Sequence, residues 1–494
     1  MKLAKLMERA DARLISGSWD KEIGSVVYDS RKAGEGSFFI CIVGANSDGH
    51  TYIEDVARKG AAAVLIQKGS LPEDYAFPED LTVVEMEDTR LGLALASAAW
   101  FDYPAEQIPV IGITGTKGKT TTTYMIKSIL ENAGYRVGLI GTIEAIIGDK
   151  HIKAANTTPE SYLVQQYLRE MIDAGLDMAV MEVSSQALKL NRTAGLKFEI
   201  GVFTNISPDH IGPNEHASFE EYLQCKGLLF RQCRVGIVND DDPRTEEVLK
   251  GHTCKIETYG IDRQDADLKA SNIQYIHKPG YLGMRFDLSG RLNFTVDLDV
   301  PGKFSVYNAL TAIAVCEHFQ IKDEDIQKAL KGAQVKGRVE MVPVSDQFTL
   351  MIDYAHNAMA LESLLTTLKD YQPKRIVTVF GCGGNRARSR RYEMGEVSGR
   401  LSDFTIITSD NPRFEDPEAI MDDIETGIKR TDGSYIRISD RKEAIAYAIH
   451  KGKPGDVVIL AGKGHEDYQE IKGRKYPMDE RVIIKEILDA DKLC

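Results

Sequence analysis

Short apolar runs recur along the whole chain and alternate with stretches in which apolar positions return every three or four residues. The runs predict strands and the longer period predicts helices, so the pattern as a whole predicts an α/β fold with largely parallel sheets. Strands are predicted at 109–114, 136–140, 177–183, 199–204 and 234–239, and again at 348–352, 375–380, 404–408 and 457–461. Breaks are expected around Asp102-Tyr103-Pro104 and, after a helical segment at 306–332, around Lys336-Gly337-Arg338. Three domains result: 1–104, 105–335 and 336–494.

The most specific local signal is PVIGITGTKGKTT at 109–121, in which an apolar strand, a glycine-rich turn and a helical pattern (Met125, Ile126, Ile129, Leu130, Ala133) follow one another. Gly112, Gly115 and Gly118 are expected to let backbone N–H groups approach phosphate oxygens, Lys119 supplies a charge, and Thr120 or Thr121 offers a hydroxyl to Mg²⁺. The strict Walker spacing asks for glycine at 113, where Ile113 stands. A plain glycine-rich αβ turn is the alternative.

Composition narrows the setting. Across 494 residues the net charge is −13, which argues against a nucleic-acid partner but leaves small anions open to local cations. Seven scattered cysteines without a C-x-x-C pair suit reduced thiols in a cytoplasmic protein. The first residues carry no secretory-type apolar segment, and LGLALASAAWF at 91–101 is too short to span a bilayer, so no membrane insertion is expected.

Further residues look chemical. Glu182 ends the strand DMAVMEVSS, and Thr204, Asn205, Asp209 and His210 end EIGVFTNISPDH. A carboxylate and an imidazole at neighbouring strand ends suit a metal cluster; solvated strand ends are the plainer reading. Lys226 sits inside the apolar stripe of FEEYLQCKGLLF. Such a lysine ordinarily snorkels to solvent. Buried instead, its amine would have a depressed pKa and could add CO₂, giving a carbamate able to bind Mg²⁺. Asn308, early in a helix, Arg338 in GRVE and Asp353 in DYAHN suit nucleotide contacts. The four strands of the last region run into DYAHN, GCGGNR, SDNPR and AGKGHE, which suggests a second ligand-binding edge.

In this order, GTKGKTT, EVSS, TNISPDH, the helical lysine, GKFSVYNAL, GRVE and DYAHN resemble the Mur ligases over essentially the whole chain. YDSR followed by GANSDGHTYI is similar to their uridine-nucleotide domain, and SDNPR with AGKGHEDYQ to the branch that adds a diamino acid. The resemblance implies a uridine-nucleotide domain, a central P-loop mononucleotide-binding domain and a C-terminal Rossmann-like domain. It implies ATP- and Mg²⁺-dependent joining of meso-diaminopimelate to the D-glutamate of UDP-MurNAc-L-Ala-D-Glu through an acyl phosphate, in the cytoplasm, by a monomer.

Carried onto this sequence, the resemblance makes Gly115, Thr116, Lys117, Gly118, Lys119, Thr120, Thr121, Asn308, Arg338 and Asp353 ATP contacts. Thr120, Glu182, His210 and carbamylated Lys226 would hold or position metal, with Lys119, Glu182, His210 and Lys226 catalytic. Tyr28, Ser30, Ala45, Asn46 and Ser47 would meet the UDP-sugar, and Asn156, Thr157, Thr158, Ser184, Leu190 and Arg192 the muramoyl dipeptide. Arg386, Asp410, Asn411, Pro412, Arg413, Gly462 and Glu466 would hold the diamino acid, with Arg413 taking its distal carboxylate, the group L-lysine lacks, and Glu466 an ammonium.

The sequence departs from the family in IGPNEH after Asp209-His210, in the longer spacing from His210 to Lys226, in EVSSQA, at Ser305 and in DYAHNAMA. Other readings are an L-lysine-adding relative, a folylpolyglutamate synthetase, a P-loop regulatory ATPase and an inactive precursor-binding scaffold. The first ~100 residues speak against the folate enzyme, and Lys226, SDNPR and GKGHE against the ATPase.

Overall fold

The structure is a computed structural model describing residues 1–44, 47–212, 215–278 and 280–492. Two compact units are formed, one from Met1–Asp267 with Thr311–Lys322, the other from Leu268–Leu310 with Asp323–Cys494.

The first unit carries two sheets. The N-terminal one runs Arg13–Ser16, Thr82–Met86, Ala63–Gln67, Ser37–Ile40, Ser25–Val27, parallel apart from its first strand. Phe38, Ile40, Leu65 and Val84 pack on one face, and Phe39, Val64, Ile66 and Val83 on the other. Burial on both faces is why these strands are continuously apolar in sequence. Asp88 caps the covering helix Thr89–Trp100 by accepting from the N–H groups of Arg90 and Leu91.

The second sheet of this unit follows the order Lys255–Gly260, Cys233–Asn239, Phe198–Phe203, Val110–Thr114, Met178–Glu182, Val137–Ile140, all parallel. Two antiparallel strands, Glu144–Ile147 and Lys150–Lys153, extend it. Glu182 pairs with Ile113 and Phe203 with Thr114, so the residues after all three strands emerge at one edge. Parallel sheets gather ligands at such carboxyl ends.

The second unit contains antiparallel strands Leu268–Lys278, Tyr281–Gly290 and Thr295–Leu298 and a six-stranded sheet. That sheet runs Glu340–Val342, Thr349–Asp353, Asp456–Ala461, Arg375–Phe380, Phe404–Ile407, Tyr435–Arg437, parallel after its first strand. Every predicted strand is present to within a residue or two. The strands not predicted include the antiparallel Glu144–Ile147, Lys150–Lys153, Leu268–Lys278, Tyr281–Gly290, Thr295–Leu298 and Glu340–Val342, the parallel Lys255–Gly260 and Tyr435–Arg437, and the hairpin Tyr468–Ile471/Arg474–Pro477. The expected helical segment at 306–332 is two helices, Lys303–Glu317 and Asp323–Lys331. Among the described residues no helix is long and apolar enough to cross a membrane.

Candidate functional site

In the first unit, the strand Val110–Thr114 hands over to the helix Lys119–Asn132 through Gly115–Gly118. Gly118 caps the helix at φ 87° and Gly115 has φ 151°. A Cβ on Gly115 would lie 1.9 Å from the Thr204 hydroxyl, so the close approach admits no side chain. Ile113 is strand, and so is Gly112, where a Cβ would come within 2.7 Å of the Phe198 ring. Gly112 therefore belongs to sheet packing, a correction to its grouping with the loop glycines.

Neighbouring strand ends pin this loop. Thr116 N–H donates to the Asn205 carbonyl at 2.8 Å. The Thr204 hydroxyl and the Asn205 amide donate to the Lys117 carbonyl at 2.8 and 3.0 Å. Lys119 Nζ donates to the carbonyls of Gly115 and Thr116 at 2.8 and 3.1 Å. Thr120 and Thr121 are buried on the first helical turn.

Glu182 is 1% exposed and accepts from the Thr120 hydroxyl at 3.0 Å, from the Thr142 N–H at 2.8 Å and from the Thr142 hydroxyl at 3.0 Å. It has no basic partner among the described residues. A buried carboxylate served only by hydroxyl and amide donors fits a cation ligand.

Lys226 does not snorkel. It is 1% exposed, its Nζ donates to the Gly115 carbonyl at 2.9 Å, and it lies 4.4 Å from the centroid of the Tyr222 ring. Burial, and after it the Lys119 charge, lowers its pKa well below the usual lysine value. Tyr222, one helical turn earlier, shares a 2.9 Å hydrogen bond with the Thr116 hydroxyl, and burial pushes its phenol up to about 12.

His210 places its ring 6.2 Å, centroid to centroid, from that of Tyr222. Its side chain is 57% exposed, has φ 53° and turns its Nδ1 to Glu215 at 3.2 Å. No cluster of three or more metal-ligating side chains occurs among the described residues. The neighbouring His216 is buried, with its Nε2 2.9 Å from the Ser185 hydroxyl and its pKa lowered by burial.

Four of the dipeptide candidates, Thr157, Thr158, Ser184 and Arg192, gather around Glu182 and Thr142. The Thr158 hydroxyl donates to the Glu182 carbonyl at 2.9 Å and accepts from the Ser184 N–H at 3.0 Å, while Ser184 caps the helix Ser185–Lys189. Thr157 shares a 3.0 Å bond with Thr142. Arg192 donates to the Thr158 carbonyl at 3.1 Å and pairs with Glu160 at 2.8 Å. Leu190 ends the helix and Asn156 is exposed.

In the N-terminal sheet, Tyr28 and Tyr162 rings lie 6.1 Å apart and burial raises the Tyr28 phenol. Ser30 begins a short 3₁₀ turn capped by Asp29, and Ser47 is exposed 3.4 Å from the Tyr52 hydroxyl. Ala45 and Asn46 lie outside the described residues.

The second unit holds a cavity of about 120 Å³ lined by residues from all four predicted strand-end loops. Arg386, Asp410, Asn411, Arg413, Gly462 and Glu466 line it; Pro412 does not. Tyr354, His356 and Arg390 line it too and were missed. The Arg386 and Arg390 guanidinium groups have no hydrogen bond or ion pair among the described residues. Glu466 accepts from Lys463 at 2.7 Å and from the Asn411 amide at 2.9 Å, both on Oε2. Lys463 is fully buried; its place between two glycines after an apolar strand was the available signal.

Asp353 accepts from the N–H groups of Val339 and Ala355, both at 2.8 Å, and burial raises its pKa against the pull of Arg338. The Arg338 guanidinium lies 4.9 Å from the centroid of the Tyr354 ring. Asn308 is buried in the helix Lys303–Glu317.

Three family profiles match the chain: Mur ligase middle domain over 113–316, Mur ligase glutamate ligase domain over 337–464, and Mur ligase family catalytic domain over 22–99. The chain is 42% identical over 492 residues to "UDP-N-acetylmuramoyl-L-alanyl-D-glutamate--2,6-diaminopimelate ligase 1" of Clostridium acetobutylicum, covering 99% of both. A similarly named ligase of Alkaliphilus metalliredigens is 43% identical, covering 100% of this chain and 99% of the relative. A solved structure of a UDP-N-acetylmuramoyl-L-alanyl-D-glutamate--2,6-diaminopimelate ligase matches with TM-score 0.73 at 28% identity, covering 100% and 99%. The MurF ligase of Thermotoga maritima in complex with ADP, 18% identical, shares the fold at TM-score 0.55 over 95% and 96%. The chain belongs to the Mur ligase family.

Proposed function

We infer that this chain joins meso-diaminopimelate to the D-glutamate of UDP-MurNAc-L-Ala-D-Glu at the expense of ATP. The observation that carries the ligase chemistry is Lys226, buried against the Gly115 carbonyl with its pKa lowered. A neutral amine there can attack CO₂ and lose a proton, which turns the lysine into an anion against the glycine-rich loop. With Glu182 and Thr120 it would hold Mg²⁺, which supplies charge neutralisation at the phosphates.

The γ-phosphoryl of ATP passes to the D-glutamate γ-carboxylate. The diamino acid's amine then attacks the acyl phosphate, and phosphate leaves from a tetrahedral intermediate. No protein nucleophile is needed, so the residues position and neutralise. The loop Gly115–Thr121 cradles the phosphates, Lys119 and Arg338 offset their charge, and Asn308 and Asp353 hold the nucleotide. Residues 1–104 take the uridine nucleotide, 105–335 ATP and 336–494 the acceptor amino acid. In the last of these, three arginines and Glu466 around one small cavity match an acceptor with carboxylates and ammonium groups at both ends.

The test is incubation with ATP, Mg²⁺ and UDP-MurNAc-L-Ala-D-Glu, with meso-diaminopimelate, L-lysine or no amino acid. Phosphate release and product mass should rise with meso-diaminopimelate alone. Equal phosphate release in all three tubes without a new peptide would leave an ATPase; product with L-lysine alone would reassign the acceptor.

A further inference from the structure

Arg413 is the pocket arginine whose neighbours are most fully defined. It holds a left-handed backbone, φ 53°, which a non-glycine residue keeps only when its surroundings impose it. The imposing element is the hairpin Tyr468–Ile471/Arg474–Pro477. Arg413 N–H donates to the Glu470 carbonyl at 3.0 Å, and Lys472 N–H to the Arg413 carbonyl at 2.6 Å, so the turn is stitched along the hairpin.

A side-chain bond is added to this frame. Glu470 Oε2 accepts from Arg413 Nε at 3.1 Å, while Arg413 Nη1 donates to the Gly384 carbonyl at 2.7 Å. Those two acceptors fix the guanidinium plane and leave its remaining N–H donors for a ligand. The same residue reaches the opposite pole of the pocket. Glu470 N–H donates to Asn411 Oδ1 at 2.9 Å, which turns the Asn411 amide nitrogen toward Glu466 at 2.9 Å. Glu470 does not itself line the cavity.

We propose that Glu470 is a positioning residue for acceptor selection: its carboxylate aims Arg413 so that the guanidinium meets the acceptor's distal carboxylate. This rests on the activity inferred above. A single half-buried arginine–glutamate pair near the surface adds modestly to stability; its value here is directional, because a guanidinium free to rotate loses entropy to alignment on each binding event.

Glu470→Ala removes the side-chain acceptor and keeps every backbone bond of the hairpin; Glu470→Gln keeps an acceptor for Nε. Steady-state kinetics are measured for wild type and both variants with meso-diaminopimelate and L-lysine, together with the KM for ATP. Glu470→Ala is expected to raise the KM for meso-diaminopimelate about tenfold, the size of one charge-assisted hydrogen bond, and to narrow the preference over L-lysine. The KM for ATP should stay at the wild-type value, and Glu470→Gln should stay within about threefold of wild type. A Glu470→Ala enzyme with wild-type KM and preference overturns the proposal, as does an equal rise in the KM for ATP or a Glu470→Gln enzyme as impaired as Glu470→Ala. No product from the wild type overturns the activity and this role together; active wild type beside an unaffected Glu470→Ala overturns this role alone.

Discussion

Lys226 shows how much one side chain can decide. As a charged ammonium it would be a costly guest in a fully buried position beside Lys119. As a carbamate it becomes an anion next to a cation, and the same position turns favourable. Lys226→Ala should therefore lose at least about a hundredfold in kcat, with partial recovery when formate or acetate is supplied, because a small carboxylate can occupy the vacated volume. Near-wild-type turnover would reduce the lysine to packing. Tyr222 should act more gently. Tyr222→Phe keeps the ring beneath Lys226 and breaks the bond to Thr116, so the expected cost is ~1 kcal/mol, read as a severalfold rise in the KM for ATP.

Lys226 was legible in the sequence as an oddity, a cation inside an apolar stripe, but its burial was not, since snorkelling leaves the same pattern. Tyr222 was hidden by the opposite effect: an aromatic one turn from other apolar residues reads as core, and it is core as well as a phosphate-loop contact. Arg413 and Glu466 were reached through the resemblance of SDNPR and AGKGHEDYQ at strand-end loops, and both line the same cavity. Glu470 was not legible, and Lys463 offered only its place between two glycines after an apolar strand. The partners that give them their place, Arg413 and Asn411, lie more than fifty positions away, and that pairing is not written in any local pattern. His210 was read from the strand-end segment TNISPDH; its ring Nδ1 lies 3.2 Å from Glu215 and its ring centroid 6.2 Å from that of Tyr222.

At the scale of elements, junctions matter more than the strands themselves. The strands were readable because parallel sheets buried on both faces demand continuous apolar runs. The hairpin Tyr468–Pro477 was not, because its strands are short and its residues largely polar. Gly115→Ala tests the most crowded junction. With φ 151° and a Cβ 1.9 Å from the Thr204 hydroxyl, the loop must move, and ATP binding by calorimetry should be lost while the sheet stays folded.

A second junction carries a pH signature. Glu425, near the end of the helix Pro417–Ile428, is held down to about 2 by hydrogen bonds from Lys429 first, then Tyr435 and Arg437. A depressed carboxylate contributes stability that is complete above its ordinary pKa of 4.5 and disappears as pH falls through about 2. Glu425→Gln should thus lower unfolding stability by ~1 kcal/mol at pH 7, solvent screening having taken the rest, and the gap should close steadily below pH 5. A constant gap across that range would assign the loss to packing.

Across the whole molecule, separate apolar cores underlie the two sheets of the first unit and the parallel sheet of the second. Unfolding is then expected in more than one calorimetric transition. Meso-diaminopimelate should raise the transition of the C-terminal sheet, by up to about 2.7 kcal/mol at a hundredfold excess over Kd, and leave the others in place. A single transition that moves as one would mean that the cores unfold together.

The 120 Å³ cavity draws all its lining from residues between Tyr354 and Glu466, a stretch that contains neither the glycine-rich loop nor Lys226. The acceptor pocket proposed above is thereby encoded apart from the glycine-rich loop and Lys226. Substitutions in those loops away from Tyr354, whose ring lies under Arg338, leave the glycine-rich loop and Lys226 untouched. The same separation makes those loops, with the hairpin that braces them, a graft that can be moved between relatives as one cassette.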